Sequence, residues 1–374
     1  FEWSFSQLQD AALLTIRIQK IALKHGMVLK DASAYNVQFY KGKPIFIDTL
    51  SFEKYNSGDP WQAYRQFCQH FLAPLSLMVY TDQRLGQLYR TYIDGVPLDL
   101  ANTLLPLKAR IKPSIYMHIV LHSKAQKSKA SVGQKPTTKV SQQNLDAILS
   151  NLLNSIKKLK PKLNKTEWGE YYENTNYTVQ SADKKSQIIT DFCKGLEIKK
   201  AIDFGGNNGR YSRVLASMGI NTICNDIDIN AVESNYKHVR NKNEELMLPL
   251  LVDLTNPGGG LGWANDERPS IQQRFKVDMS MALALIHHLA ISNNLPFVKI
   301  AQYLAKFSPY LIIEFVPKED SQVQILLATR KDIFDSYDEA GFKKAFGVYY
   351  DLLKEQKIAG TERTLYLFKR LNNG

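Results

Sequence analysis

Cysteine is scarce in this chain of 374 residues: Cys68, Cys193 and Cys224 stand far apart, with no Cys-x-x-Cys pair. Thiols so scattered exclude a disulfide framework and a thiolate zinc site, and they fit a reducing compartment, so a cytoplasmic protein is expected. No run approaches the roughly 18 uninterrupted apolar residues of a transmembrane helix, and no signal peptide is read. The first residue is Phe1 rather than Met, and the chain starts abruptly in an apolar, helix-like stretch. A fragment whose natural start lies upstream is expected.

Acid is scarce in one segment. Between residues 123 and 165, ten lysines face a single acid, Asp146. That is +9 of the net +12, leaving +3 for the rest. Charge confined in this way argues against a general nucleic-acid-binding face. It describes a solvated linker and helix face. The hydrophobic content of 44% and aromatic content of 11% allow a proper core, and the length suits two domains.

The chain is organised around Ala201-Ile202-Asp203-Phe204-Gly205-Gly206-Asn207-Asn208-Gly209-Arg210-Tyr211-Ser212. It reads as a buried strand, a glycine-rich bend and the start of a helix. Glycines there let the backbone turn tightly and approach a ligand, and the helix start presents free N–H groups. The spacing is not the G-x-G-x-x-G of dinucleotide binders. From here strands and helices alternate. Strands are expected at 221–225 with Asp226 at the tip, at 248–252 with Asp253 after it, at 277–283 and at 310–315. Helices are expected at 211–218, 230–241 and 297–307. Such units make a parallel sheet covered on both faces, with ligands beyond the carboxyl ends of its strands. The run 361–368 reads as part of a closing antiparallel hairpin.

Asp203, Asp226 and Asp253, in that order at successive strand ends beside Gly205, Gly206, Asn207 and Gly209, resemble the cofactor site of class I S-adenosylmethionine (SAM)-dependent methyltransferases. The resemblance covers 168–370. Residues 251–257, 285–289 and 314–318 are similar to bacterial methyltransferases related to nodulation proteins. It implies an α/β fold: a Rossmann-like doubly wound sheet with an antiparallel C-terminal hairpin; the residues ahead of it read as a mainly helical N-terminal accessory domain. It implies SAM as cofactor, Asp226 (with Asp228 in reserve) for the ribose hydroxyls, Asp253 for the adenine amino group, and Asp203 for the loop or the methionine ammonium. An Asp at such places also serves as a cap or turn residue.

Methyl transfer requires alignment of the acceptor and, for a hydroxyl or amine, removal of a proton. His287, His288 and Glu314 are the candidate bases; the histidines also suit shaping the pocket. Met279-Ser280-Met281-Ala282 stands where amide and adenine N-methyltransferases carry Asn-Pro-Pro-Tyr, which argues against that chemistry. No metal-ligand cluster is read. The glycine-rich run 257–263 lacks the context of a P-loop and reads as a flexible loop near the cofactor.

The expected organisation is 1–122, a mainly helical accessory domain; 123–143, a basic flexible linker; 144–185, a helical and aromatic lead-in whose aromatics suit a lid or packing; and 186–374, the SAM-binding domain. Residues 8–23 and 145–159 have helical apolar spacing. Residues 64–77 do too, broken by Pro74, with His70 as a core or interface histidine. Near the start, two apolar runs about a Lys41-Gly42-Lys43-Pro44 turn predict a hairpin. Asp31, Asn36 and Asp48 there resemble the catalytic loop of kinase-like phosphotransferases, though Asp48 is followed by Thr49-Leu50. A structural hairpin is the other reading. Three functions are therefore in view: a SAM-dependent methyltransferase, a SAM-binding regulator or scaffold without turnover, and a kinase-like or bifunctional phosphotransferase. The acceptor of the first suits a small molecule, glycan, protein or RNA equally.

Overall fold

Ser4 starts the first helix, Phe5–Lys24, with a reciprocal cap: Gln7 Oε1 accepts from the Ser4 N–H at 2.9 Å and Ser4 Oγ from the Gln7 N–H at 3.4 Å. This computed structural model describes residues 1–123, 139–162, 179–328 and 330–372. Most of the basic stretch 123–143, and the aromatic run from Trp168 to Tyr177, lie outside them. The chain divides into two units, Phe1–Asn164 and Lys165–Gly374.

In the first unit the apolar stripe of Phe5–Lys24, with Leu8, Ala12 and Ile16, is buried in a core that also takes Leu145, Leu149, Leu152 and Ile156 of the helix Gln142–Lys158. Lys20 and Asp146 pair at 2.9 Å, and Gln9 Nε2 donates to the carbonyls of Ile156 and Leu159. The sequence reading set this helix in the lead-in to the cofactor domain. Its apolar face is instead spent inside the first unit. The expected hairpin forms from β2 (Val37–Tyr40) and β3 (Lys43–Phe46), joined by Lys41 and Gly42, both at positive φ, as a two-residue hairpin turn requires. Beside it β1 (Met27–Leu29) pairs with β4 (Phe52–Lys54). Pro74 does not break its helical run. A π-helical stretch, Cys68–Leu72, joins the helix Tyr64–Phe67 to Ala73–Tyr80, so the winding changes just before the proline and the run continues through it. His70 is buried, edge-on to Tyr35.

The second unit is built on a sheet of seven strands among the described residues. They are β5 (Lys200–Phe204), β6 (Asn221–Asp226), β7 (Met247–Leu251), β8 (Met279–Ala282), β9 (Tyr310–Phe315), β10 (Tyr350–Lys357) and β11 (Thr364–Arg370), in the spatial order β10-β11-β9-β8-β5-β6-β7. The first five are parallel; β11 runs antiparallel to β9 and to β10. The expected doubly wound sheet with its closing hairpin is thus the observed one. β7 has the expected length, one residue earlier in the chain, and β8 is shorter than expected, 279–282 against 277–283. β5 and β8 are neighbours although they are distant in sequence. The chain leaves β5 toward one edge and resumes on the other side at β8, so a crevice opens at that reversal. The outermost strand, β10, is exposed from Asp351 to Lys357, with Asp351, Lys354, Glu355 and Lys357 on it. Among the described residues no helix is long and apolar enough to cross a membrane.

Candidate active site

β5 ends at the bend 205–209. Gly205 has φ +70°, and a Cβ on Gly206 would lie 2.6 Å from Cys224 Sγ and 2.8 Å from Asp203 Oδ2. Only glycine allows this bend to lie so close to the strand tips. Asp203 is buried beneath it. Its Oδ2 accepts the Ser212 hydroxyl at 2.5 Å, while Oδ1 has no hydrogen-bond partner among the described residues. Burial pushes this carboxyl up to about 7.

Asp226, at the tip of β6, holds the bend from the other side. Its Oδ2 accepts the Asn207 N–H and its Oδ1 the Asp228 N–H, each at 2.8 Å. Burial raises its pKa to about 6. A carboxylate has about four acceptor sites, and with the Ile227 N–H also acting on it part of that capacity remains for further donors. Asn207 sits at φ +50° to make this contact. Asp228 is the N-cap of the helix Ile229–Lys242, accepting from the N–H groups of Asn230 and Ala231 at 2.8 and 2.9 Å. It is a capping residue, and the reserve ribose role does not fit it. Asp253, two residues past β7, turns Oδ1 to the N–H and hydroxyl of Thr255 at 2.8 and 2.6 Å. Three acids therefore stand at the carboxyl ends of three adjacent parallel strands, around one glycine bend.

Past β8 the backbone enters a left-handed kink at Ala284 (φ +48°) and delivers His287 and His288, whose rings lie 4.0 Å apart. His287 is buried, and its Nδ1 has no hydrogen-bond partner among the described residues. Burial, with His288 and the charges of Arg363 and Lys185 adding, holds it well below the usual histidine range. Burial brings His288 down to about 4. Both rings are neutral at physiological pH.

Glu314, buried in β9, has a different part from the base expected of it. Its Oε2 accepts from Lys185 Nζ at 2.5 Å and from the Ala284 N–H at 2.8 Å, and its Oε1 lies 3.5 Å from Arg363 Nη1. Arg363 in turn forks onto Asp320 at 2.7 and 3.0 Å. A carboxylate held between two cations is a poor proton acceptor. It braces the Ala284 kink and with it the histidines. Lys185, from the helix Val179–Cys193, also lies 4.5 Å from the Tyr211 ring centroid. Lys185, Asp320 and Arg363 were not found by sequence reasoning. The one signal was Glu314 itself, since an acid in an apolar strand demands a buried cation.

The glycine-rich run 257–263 is not at this corner. Gly260 lines a cavity of about 680 Å³ with Lys276, Lys306 and Arg370; Lys276 and Lys306 precede β8 and β9 and Arg370 ends the antiparallel β11, so this cavity is at the opposite end of the strands. In the first unit, Asn36 Nδ2 donates to Ser51 Oγ at 3.1 Å, and the Ser51 hydroxyl to Asp48 Oδ2 at 2.5 Å. Asp31 Oδ1 accepts from the Ser33 N–H. Asn36 and Asp48 are thus joined through Ser51, in the turn that leads to β4.

No family model matches the chain. Among solved structures, WbdD bound to the kinase inhibitor LY294002 is 14% identical with a TM-score of 0.39, over 58% of this chain and 47% of WbdD. A SAM-dependent methyltransferase from Aquifex aeolicus is 14% identical with a TM-score of 0.38, over 55% of this chain and 100% of that one. Likenesses this slight carry no argument about activity. Nodulation protein NoeA of Rhizobium meliloti (strain 1021) is another matter: it is 35% identical over 377 residues, 99% of this chain and 79% of NoeA. At that identity and coverage, the chain belongs to the family of the nodulation protein NoeA.

Proposed function

We propose that the second unit is a SAM-dependent methyltransferase. The observation that carries this reading is the ring of Asp203, Asp226 and Asp253 at three neighbouring strand tips around the 205–209 bend, in a sheet whose order reverses between β5 and β8. The residues present fit the cofactor. The remaining acceptor capacity of Asp226 suits the ribose hydroxyls, and Asp253 suits the adenine amino group. The orphaned Oδ1 of buried Asp203 suits an ammonium donor, which would also return that carboxyl to its ionised form. When bound, SAM supplies a methyl group already activated by its sulfonium charge.

The chain's own part is to orient and deprotonate. The acceptor enters beside His287 and His288, past β8. His287 Nδ1 has no hydrogen-bond partner among the described residues; in the tautomer that carries its proton on Nε2, Nδ1 takes the proton of an acceptor hydroxyl or amine as the new bond to carbon forms, although burial and the nearby cations lower its basicity. Glu314, Lys185 and Arg363 keep the kink at Ala284 in place and exclude water from beneath it. We place this activity in the cytoplasm, a reading supported by three free, buried cysteines.

Calorimetric titration with SAM and with S-adenosylhomocysteine tests the reading. Both bind the wild type, and Asp226→Ala weakens both. Absence of binding to the wild type would remove it, and binding unaffected by Asp226→Ala would remove the site.

A further inference from the structure

One corner of the first unit turns aliphatic side chains toward water. Leu105 and Ala109, four residues apart, are each 1% exposed and belong to the core. Leu107 and Ile111, also four apart, lie at the two ends of the short helix Leu107–Arg110 and are 75% and 77% exposed. Leu104 closes the preceding helix, Leu98–Leu104, and is partly exposed. The chain is extended at Leu105 and Pro106 between the two helices, and past that break helical spacing puts Leu107 and Ile111 on one face.

Cations flank that face. Lys108 and Lys112 are exposed beside it, with Lys112 Nζ 5.4 Å from the Tyr80 ring centroid. Arg110 donates to the carbonyls of Thr103 and Leu105 at 2.8 and 2.7 Å, contacts that leave its charge uncancelled. The sequence has no Asp or Glu from Leu100 to Leu145; of the acids that border the corner, Asp99 precedes that stretch by one residue and Asp82 is paired with Arg84. A polyanion such as RNA would satisfy the cations and leave the aliphatic face in water. A bilayer with anionic headgroups satisfies both, with short apolar chains entering the headgroup boundary and cations at the phosphates.

We propose that the corner 104–112 is a docking surface for an anionic lipid bilayer. Leu107 and Ile111 enter the boundary while Lys108, Arg110 and Lys112 rest on the headgroups. Two side chains and three charges give weak, reversible attachment, well short of anchoring. The assignment stands apart from the methyl-transfer reading and does not depend on it.

Co-sedimentation of the whole chain with phosphatidylcholine vesicles, with and without about 30% phosphatidylglycerol, tests it. The wild type pellets with the anionic vesicles only, and about 0.5 M salt releases most of it. Leu107→Ser combined with Ile111→Ser lowers the bound fraction about tenfold. Lys108→Glu combined with Lys112→Glu removes the preference for anionic lipid. All four side chains are exposed, so both variants keep the wild-type thermal transition. Three results would overturn the assignment: no wild-type protein with any vesicle, binding that survives both double variants, or a wild-type dimer that Leu107→Ser with Ile111→Ser makes monomeric.

Discussion

Asp203 and Asp226 are carboxyls whose burial favours the protonated form. In the folded chain they titrate near 7 and near 6, against about 3.8 when unfolded. The native state therefore holds more protons than the unfolded state between these values, and the stability they confer is lost as pH rises through that window. Without cofactor, urea unfolding should show the protein less stable at pH 8 than at pH 5. Asp203→Asn should flatten that slope and stabilise the protein at pH 8 by about 1–3 kcal/mol. An unchanged slope would show that Asp203 is ionised in the empty site. Asp226→Ala removes the acceptor for the Asn207 amide and, in the proposed site, for the ribose. SAM affinity should fall about a hundredfold, as two charge-assisted hydrogen bonds imply. His287→Ala should leave SAM affinity within about twofold while lowering methyl transfer by about 10²–10⁴. Loss of binding and transfer together would give His287 a structural part instead.

At the scale of elements, the strand β9, the helix Val179–Cys193 and the segment before β11 meet through Glu314, Lys185 and Arg363. Breaking such a set by removing one partner leaves a buried charge uncompensated. Lys185→Met should cost about 3–5 kcal/mol in denaturant unfolding, and adding Glu314→Gln should recover part of it. A cost no larger than that of a surface lysine would mean that the network is not holding the loop. These partners mark where the sequence stops being informative. The strand, bend and helix start around Asp203 were legible because they are contiguous, and the place of Asp226 because an apolar strand ends on it. Lys185 lies 129 residues from Glu314, and nothing local in a lysine on an amphipathic helix says which strand it will meet. Asp228 was separable from Asp226 only by geometry, since both are acids at a strand-to-helix junction. The helix Gln142–Lys158 was visible from its apolar stripe, but a stripe does not name what covers it.

At the scale of the whole molecule, two units with separate cores should not share one response to ligand. SAM at about 100 times its Kd should add about 2.7 kcal/mol to the unit that binds it. Calorimetric scans should show one transition moving and the other staying in place; a single transition shifting as a whole would mean that the two cores unfold together. The seven-stranded sheet also ends in a particular way. Its outermost strand, β10, carries Asp351, Lys354, Glu355 and Lys357 into water beside Leu352 and Leu353, with a shift of register between Leu352 and Lys354. Charge and irregularity there deny a stray backbone the flat, bare ladder it needs to add itself. Concentrated solutions of this protein should therefore stay dispersed on that side, and polymerisation would have to begin somewhere other than the rim of its own sheet.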